Sequence, residues 1–103
     1  MSVVEIKQDE FKIKVTNAKK VLVDCYADWC GPCKMLSPII DELAEEIEDV
    51  TFYKLNVEEA EDVAMEYEIM SIPTLLIFED GELKDKLIGF KTKEELKEIL
   101  EEK

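Results

Sequence analysis

Two cysteines separated by two residues, within Trp29-Cys30-Gly31-Pro32-Cys33-Lys34, are the groups in this chain best suited to chemistry. Thiols this close can open and close as a disulfide, moving two electrons at a time. The motif follows an apolar, strand-like run and precedes a helical pattern, so Cys30 ends a loop where a helix begins. A thiol there faces backbone N–H groups that lack intrahelical partners and the positive end of the helix dipole. Both favour thiolate over thiol. Gly31 lets the backbone turn tightly without a Cβ penalty, and Pro32 suits the first turn of the helix. Cys33 lies one turn in, close enough to attack a mixed disulfide formed at Cys30. Trp29 adds a flat apolar surface beside the reactive sulfur, where a substrate chain can dock.

Three other uses of the pair fit less well. A structural disulfide gains most when it closes a long loop, and a two-residue gap gains least. Zinc needs four ligands, whereas the motif supplies two and the chain has no His and one further, distant Cys. Attachment of c-type haem needs His after the second Cys, and Lys34 stands there. The third thiol, Cys25, lies mid-strand and reads as inert core packing.

The elements that must position the motif follow from periodicity. Val3 to Ile6 reads as a short strand and Asp9 to Asn17 as a short helix with Phe11 and Val15 on one face. Val21 to Ala27 is apolar except for Asp24 and does not alternate, which suits a central strand covered on both faces. Leu36, Ile40, Leu43 and Ile47 then recur at helical spacing. Pro38 lies inside that pattern, so the spacing predicts a helix that starts late or is kinked there. Thr51 to Val57 is strand-like, Glu61 to Tyr67 helical, and Thr74 to Phe78 a buried strand. Asp80-Gly81 joins it to Leu83 through Ile88, the residue pair of a two-residue hairpin. Thr92 with Glu95 makes a capping box ahead of Leu96, Ile99 and Leu100. The order β-α-β-α-β-α-β-β-α predicts an α/β fold: a mixed five-stranded sheet with helices on both faces.

Asp24 is the second chemical feature. A carboxylate within an apolar central strand is costly unless paired or functional. Burial raises its pKa toward the range useful for proton transfer.

Composition narrows the partners. The 103 residues (1–103) predict one domain. The net charge is −13, with no Arg or His. Such a surface repels nucleic acid and anionic membranes. Without His, any general base must be a carboxylate, a thiolate or a Lys amine. The amino-terminal residues lack a basic segment followed by an apolar stretch, and the apolar run from Ile69 to Phe78 is too short to span a bilayer. The expected location is the cytoplasm, where a close Cys pair is catalytic or metal-binding more often than structural. No G-x-G-x-x-G follows a strand, so no nicotinamide or flavin site of its own is expected, and no metal. A monomer is expected, since no long apolar stripe is left after the core is assigned.

The run from Val21 through Lys34 resembles the thioredoxin family. So do Lys54-Leu55-Asn56-Val57, Ser71-Ile72-Pro73-Thr74 and the Asp80-Gly81 hairpin, in order and over nearly the whole chain. The resemblance implies the thioredoxin fold and a thiol-disulfide oxidoreductase that reduces protein disulfides. It implies that Cys30 attacks and Cys33 resolves, that Asp24 is a buried acid beneath the dithiol helping to deprotonate Cys33, and that Lys54 tunes that acid. It further implies a cis bond before Pro73, packed opposite Cys30, with the Ile72 backbone pairing with an extended substrate chain. Trp29, Gly31, Pro32 and Gly89 would complete the substrate surface. The expected partners are disulfide-containing proteins and a thioredoxin reductase, NADPH- or ferredoxin-linked. Tyr26, Cys25, Glu58 and Met70 depart from the residues common in the family, and none of the four is expected to touch the dithiol. Two rival readings stand beside this one: a binding module whose dithiol is incidental, and an oxidant or isomerase on the same fold.

Overall fold

In the computed structural model, which describes residues 2–101, five strands form one sheet in the order β1-β3-β2-β4-β5. They are β1 (Val4–Glu5), β2 (Lys20–Tyr26), β3 (Thr51–Asn56), β4 (Thr74–Glu79) and β5 (Glu82–Ile88). β3 runs parallel to both β1 and β2, while β4 is antiparallel to β2 and to β5. The expected mixed sheet is therefore present. Between the strands lie α1 (Phe11–Thr16), α2 (Gly31–Glu46), α3 (Glu61–Glu66) and α4 (Lys93–Glu101).

β2 sits in the middle of the sheet, and its residues from Val21 to Cys25 are all buried. Successive strand side chains point to opposite faces. Leu22 accordingly joins a core with Leu36, Ile40 and Leu43 of α2 and Leu96 and Leu100 of α4. Val21, Val23 and Cys25 join a second core with Phe11 and Val15 of α1 and Val63 of α3. Helices thus cover both faces. Asp24 shares the parity of Leu22, which puts it on the α2 side.

α2 is continuous from Gly31 through Pro38 to Glu46, so the late start expected from the proline does not occur. An internal proline costs about 3 kcal/mol or more. Burial of Leu36, Ile40, Leu43 and Ala44 against the sheet offsets that cost, and Pro38 itself stays exposed. The helix consequently begins at the dithiol, with Cys30 as its N-cap.

Other boundaries move by a residue or two. A 3₁₀ turn at Gln8–Glu10 precedes α1. β3 ends at Asn56, whose side-chain oxygen accepts the Glu58 N–H and caps a 3₁₀ turn at Val57–Glu59. The β4–β5 hairpin turns on Asp80 (φ 53°) and Gly81 (φ 84°), the left-handed pair that such a loop requires. The Thr92–Glu95 box forms in both directions: Thr92 N–H donates to Glu95 Oε1, and Glu95 N–H to Thr92 Oγ1. Among the described residues, no helix is long and apolar enough to cross a membrane.

Candidate active site

The loop after β2 delivers Cys30 to the first turn of α2. Cys30 and Cys33 are joined as a disulfide, with Cα atoms 5.2 Å apart, and both residues are buried, at 4% exposure. The Cys33 N–H donates to Cys30 Sγ over 3.2 Å. That donor belongs to the free N–H set of the helix terminus, and it supports negative charge on Cys30 when the bond is reduced. Gly31 and Pro32, between the cysteines, are exposed.

The Ile72–Pro73 peptide is cis, as the resemblance implies. The Ile72 carbonyl oxygen lies 3.9 Å from Cys30 Sγ, and Ile72 packs against the cluster formed by Ala27, Cys30 and Cys33. The loop is tied down at both ends. Thr74 Oγ1 donates to the Ser71 carbonyl over 2.6 Å, and the Gly89 N–H donates to the Pro73 carbonyl over 2.9 Å. Gly89 has φ 91° and open space where a Cβ would stand, so its conformation rather than crowding calls for glycine.

Beneath α2, Asp24 is 5% exposed, and its Oδ1 has no hydrogen-bond partner. Burial pushes its carboxyl up from 3.8 to about 7; Lys54 pulls it down and Asp41 adds to the rise. Lys54 is the direct register partner of Asp24 on β3 and reaches it through space rather than as an ion pair. A cavity of about 150 Å³ joins these groups, lined by Asp24, Tyr26, Asp28, Cys33, Ser37 and Lys54, among others. Its lining mixes polar and apolar groups, and its volume has room for water. The arrangement therefore brings the Cys33 side chain and a carboxyl pushed up toward neutrality to one cavity.

Trp29 is 68% exposed beside the dithiol. Its Nε1 donates to Glu58 Oε2, which fixes the ring from the turn after β3. Cys25 lies on the other face of the sheet, fully buried, and burial pushes its thiol well up.

The family model described as Thioredoxin matches residues 2–102. The chain belongs to the thioredoxin family. It is 45% identical to a thioredoxin from Staphylococcus epidermidis over 98% of this chain and 97% of that one. It is 56% identical to a thioredoxin from Mycoplasmoides gallisepticum over 80% of this chain and 82% of the relative. Among solved structures, a mutant thioredoxin from Halobacterium salinarum superposes with a TM-score of 0.92 at 36% identity, covering 97% of this chain and 88% of the other. As a thioredoxin-family member with a bonded Cys30–Cys33 pair, the chain is a thiol-disulfide oxidoreductase. Family membership carries disulfide substrates and a reductase partner in general terms.

The structure brings Cys30, Cys33, Asp24, Lys54, Trp29, Ile72, Pro73 and Gly89 to one end of the sheet. One of the family departures, Tyr26, does touch the dithiol cluster, and a second, Glu58, reaches its neighbour Trp29 without touching either cysteine. Tyr26 packs against the Ala27–Cys30–Cys33 cluster and walls the cavity under Cys33, while Glu58 anchors Trp29. Tyr26 also donates its hydroxyl to Glu5 Oε2 over 2.7 Å, linking the cavity wall to β1. Sequence reasoning passed over Ser37 and Asp28. Ser37 follows Cys33 by one helical turn, a spacing that puts both on one face.

Proposed function

We propose that this chain, as one domain spanning 1–103, is a reductant of protein disulfides. Cys30 thiolate attacks a sulfur of the substrate disulfide, forming a mixed disulfide and releasing one substrate thiolate. Cys33 then attacks Cys30 Sγ, forming the Cys30–Cys33 disulfide and releasing the second thiolate, so two electrons pass from the dithiol to the substrate. Cys33 must first lose its proton, and Asp24 accepts it through the shared cavity. Lys54, by lowering the Asp24 pKa, sets the pH at which Asp24 can do so. Trp29, Gly31, Pro32, Ile72, Pro73 and Gly89 form the surface on which the substrate chain lies, with the Ile72 backbone pairing to it.

The single observation that carries this reading is the cavity that Cys33 and Asp24 share, with the unpartnered Asp24 Oδ1 beside it. A binding module with an incidental dithiol has no need of a desolvated carboxyl under its second cysteine. The oxidised chain is returned to the dithiol by a reductase linked to NADPH or to ferredoxin. It works as a redox carrier in the cytoplasm, a reducing compartment compatible with a free Cys25. It carries no cofactor and acts as a monomer. Reduction of insulin coupled in turn to an NADPH-linked and a ferredoxin-linked reductase tests the reading. Turnover with either one is expected, and turnover with neither, under conditions where dithiothreitol reduces the chain, overturns it.

A further inference from the structure

The stretch of chain that carries Ile72 is held at both ends from β5. Lys86 of β5 is the register partner of Leu76 on β4, and Leu76 belongs to the core that α1 and α3 cover. From that face the Lys86 side chain reaches the end of α3. Its Nζ donates to the Tyr67 carbonyl over 3.2 Å and to the Glu68 carbonyl over 3.1 Å. Just past β5, the Gly89 N–H donates to the Pro73 carbonyl. The Ile72 carbonyl, against Cys30 Sγ, lies between these two grips.

The grip at Lys86 falls on a turn that needs one. Helices commonly end on a left-handed residue, and glycine is the usual choice there. Glu68 takes that place here, at φ 52°. The Ile69 N–H donates to the Ala64 carbonyl and the Glu68 N–H to the Met65 carbonyl, which closes the helix. An L side chain in this conformation is disfavoured, and it persists where the surroundings hold it. Lys86 supplies the hold. Its ammonium satisfies carbonyls that a helix end leaves without partners and sets positive charge at the negative end of the helix dipole. Among the described residues Lys86 makes no ion pair that would draw it away.

We propose that Lys86 is a positioning residue for disulfide exchange. By fixing the turn at Tyr67 and Glu68 it sets the line of residues 69–72, so that the Ile72 backbone meets a substrate chain at the right distance from Cys30. The inference rests on the disulfide-reductant reading and adds to it a residue outside the dithiol. The Cys30 sulfur draws its own support from the Cys33 N–H on α2, a different element. Loosening the turn therefore leaves the reactivity of Cys30 alone and slows only substrates that have a backbone to pair.

The test uses the reduced full chain and two disulfides. One is a cystine peptide extended on both sides of its half-cystine; the other is hydroxyethyl disulfide, which has no peptide backbone. Acid quenching and mass analysis of the oxidised chain give a second-order rate constant for each. Lys86→Met keeps an unbranched apolar stem and removes the donors. It is expected to slow the peptide about three- to tenfold, the range of one hydrogen bond, and to leave hydroxyethyl disulfide within about twofold. Gln8→Ala is the control. The Gln8 side-chain oxygen accepts the Asp62 and Val63 N–H groups and ties down the other end of α3. Its loss loosens the same helix without touching the turn, so both rates are expected to stay within about twofold. The ratio of the two rates within one variant cancels any loss of folded protein. A Lys86→Met ratio equal to that of the unaltered chain overturns the proposal. An equal fall of the ratio in Gln8→Ala also overturns it, because the effect then belongs to α3 as a whole. Failure of the unaltered chain to reduce either disulfide overturns the reductant reading itself, a result distinct from an unchanged ratio.

Discussion

Asp24 and Lys54 are register partners on adjacent parallel strands, yet they form no ion pair, and burial outweighs the attraction of the lysine. Burial consequently pushes the carboxyl up from 3.8 to about 7.

That shift makes Asp24 a cost to the fold. Its folded pKa is raised to about 7 from 3.8, so between those values the unfolded chain has released the proton while the folded chain still holds it. Stability falls as pH rises through this window and levels off above pH 7. The full loss is on the order of 4 kcal/mol. Asp24→Asn removes the titration. Urea unfolding at pH 8 is expected to show the variant more stable by up to that amount, with the gap closing at pH 4. A gap independent of pH would contradict the assignment.

Lys54→Met removes the charge that holds the Asp24 carboxyl down. The Asp24 titration, followed by carboxyl chemical shift, is expected to move to higher pH. If Asp24 accepts the Cys33 proton, the resolving step moves with it, because the base is ionised only above its pKa. An unchanged pH–rate midpoint alongside a shifted carboxyl would separate Asp24 from the reaction.

Cys33→Ser leaves the attacking sulfur without a partner. Incubated reduced with a disulfide protein, the variant is expected to accumulate a covalent adduct, visible by mass, that dithiothreitol releases. Cys30→Ser is expected to form no such adduct. An adduct through Cys33 in the Cys30 variant would reverse the two roles.

Much of this arrangement was legible in the sequence because it is local. The Cys30–Cys33 spacing, the Asp80-Gly81 turn and the Thr92–Glu95 box each lie within a few residues, and each formed as expected. Asp24 stood out because a charge inside an apolar run is a local anomaly. What escaped notice needs distant segments to meet. Trp29 and Glu58 are 29 residues apart, and the cavity draws its walls from β2, β3 and α2. The late helix start that Pro38 allowed does not occur for the same reason: its local penalty is outweighed by burial of Leu36, Ile40 and Leu43 on the same helix.

Glu58→Ala frees the Trp29 ring. Fluorescence anisotropy of this single tryptophan is expected to fall, with a change in global stability below about 1.5 kcal/mol, since both partners are exposed. Unaltered anisotropy would mean that packing alone orients the ring.

Gly89→Ala meets no neighbour but forces an L side chain into φ 91°. A destabilisation of about 1–2 kcal/mol is expected from the backbone alone. Gly31→Ala, in the first turn of α2 and equally unobstructed, is expected to be neutral or slightly stabilising. Equal effects at the two sites would remove backbone conformation as the reason for glycine at 89.

The alternation along β2 has one more effect. It sends Cys25 into the core on the α1 and α3 side, while the dithiol stands at the start of the helix that packs on the other side. Cys25 is thus turned away from the side on which the dithiol's helix packs, and it is fully buried. A thiol buried in this way is inert in the folded chain. Exchange with other thiols therefore falls to the Cys30–Cys33 pair alone among the cysteines.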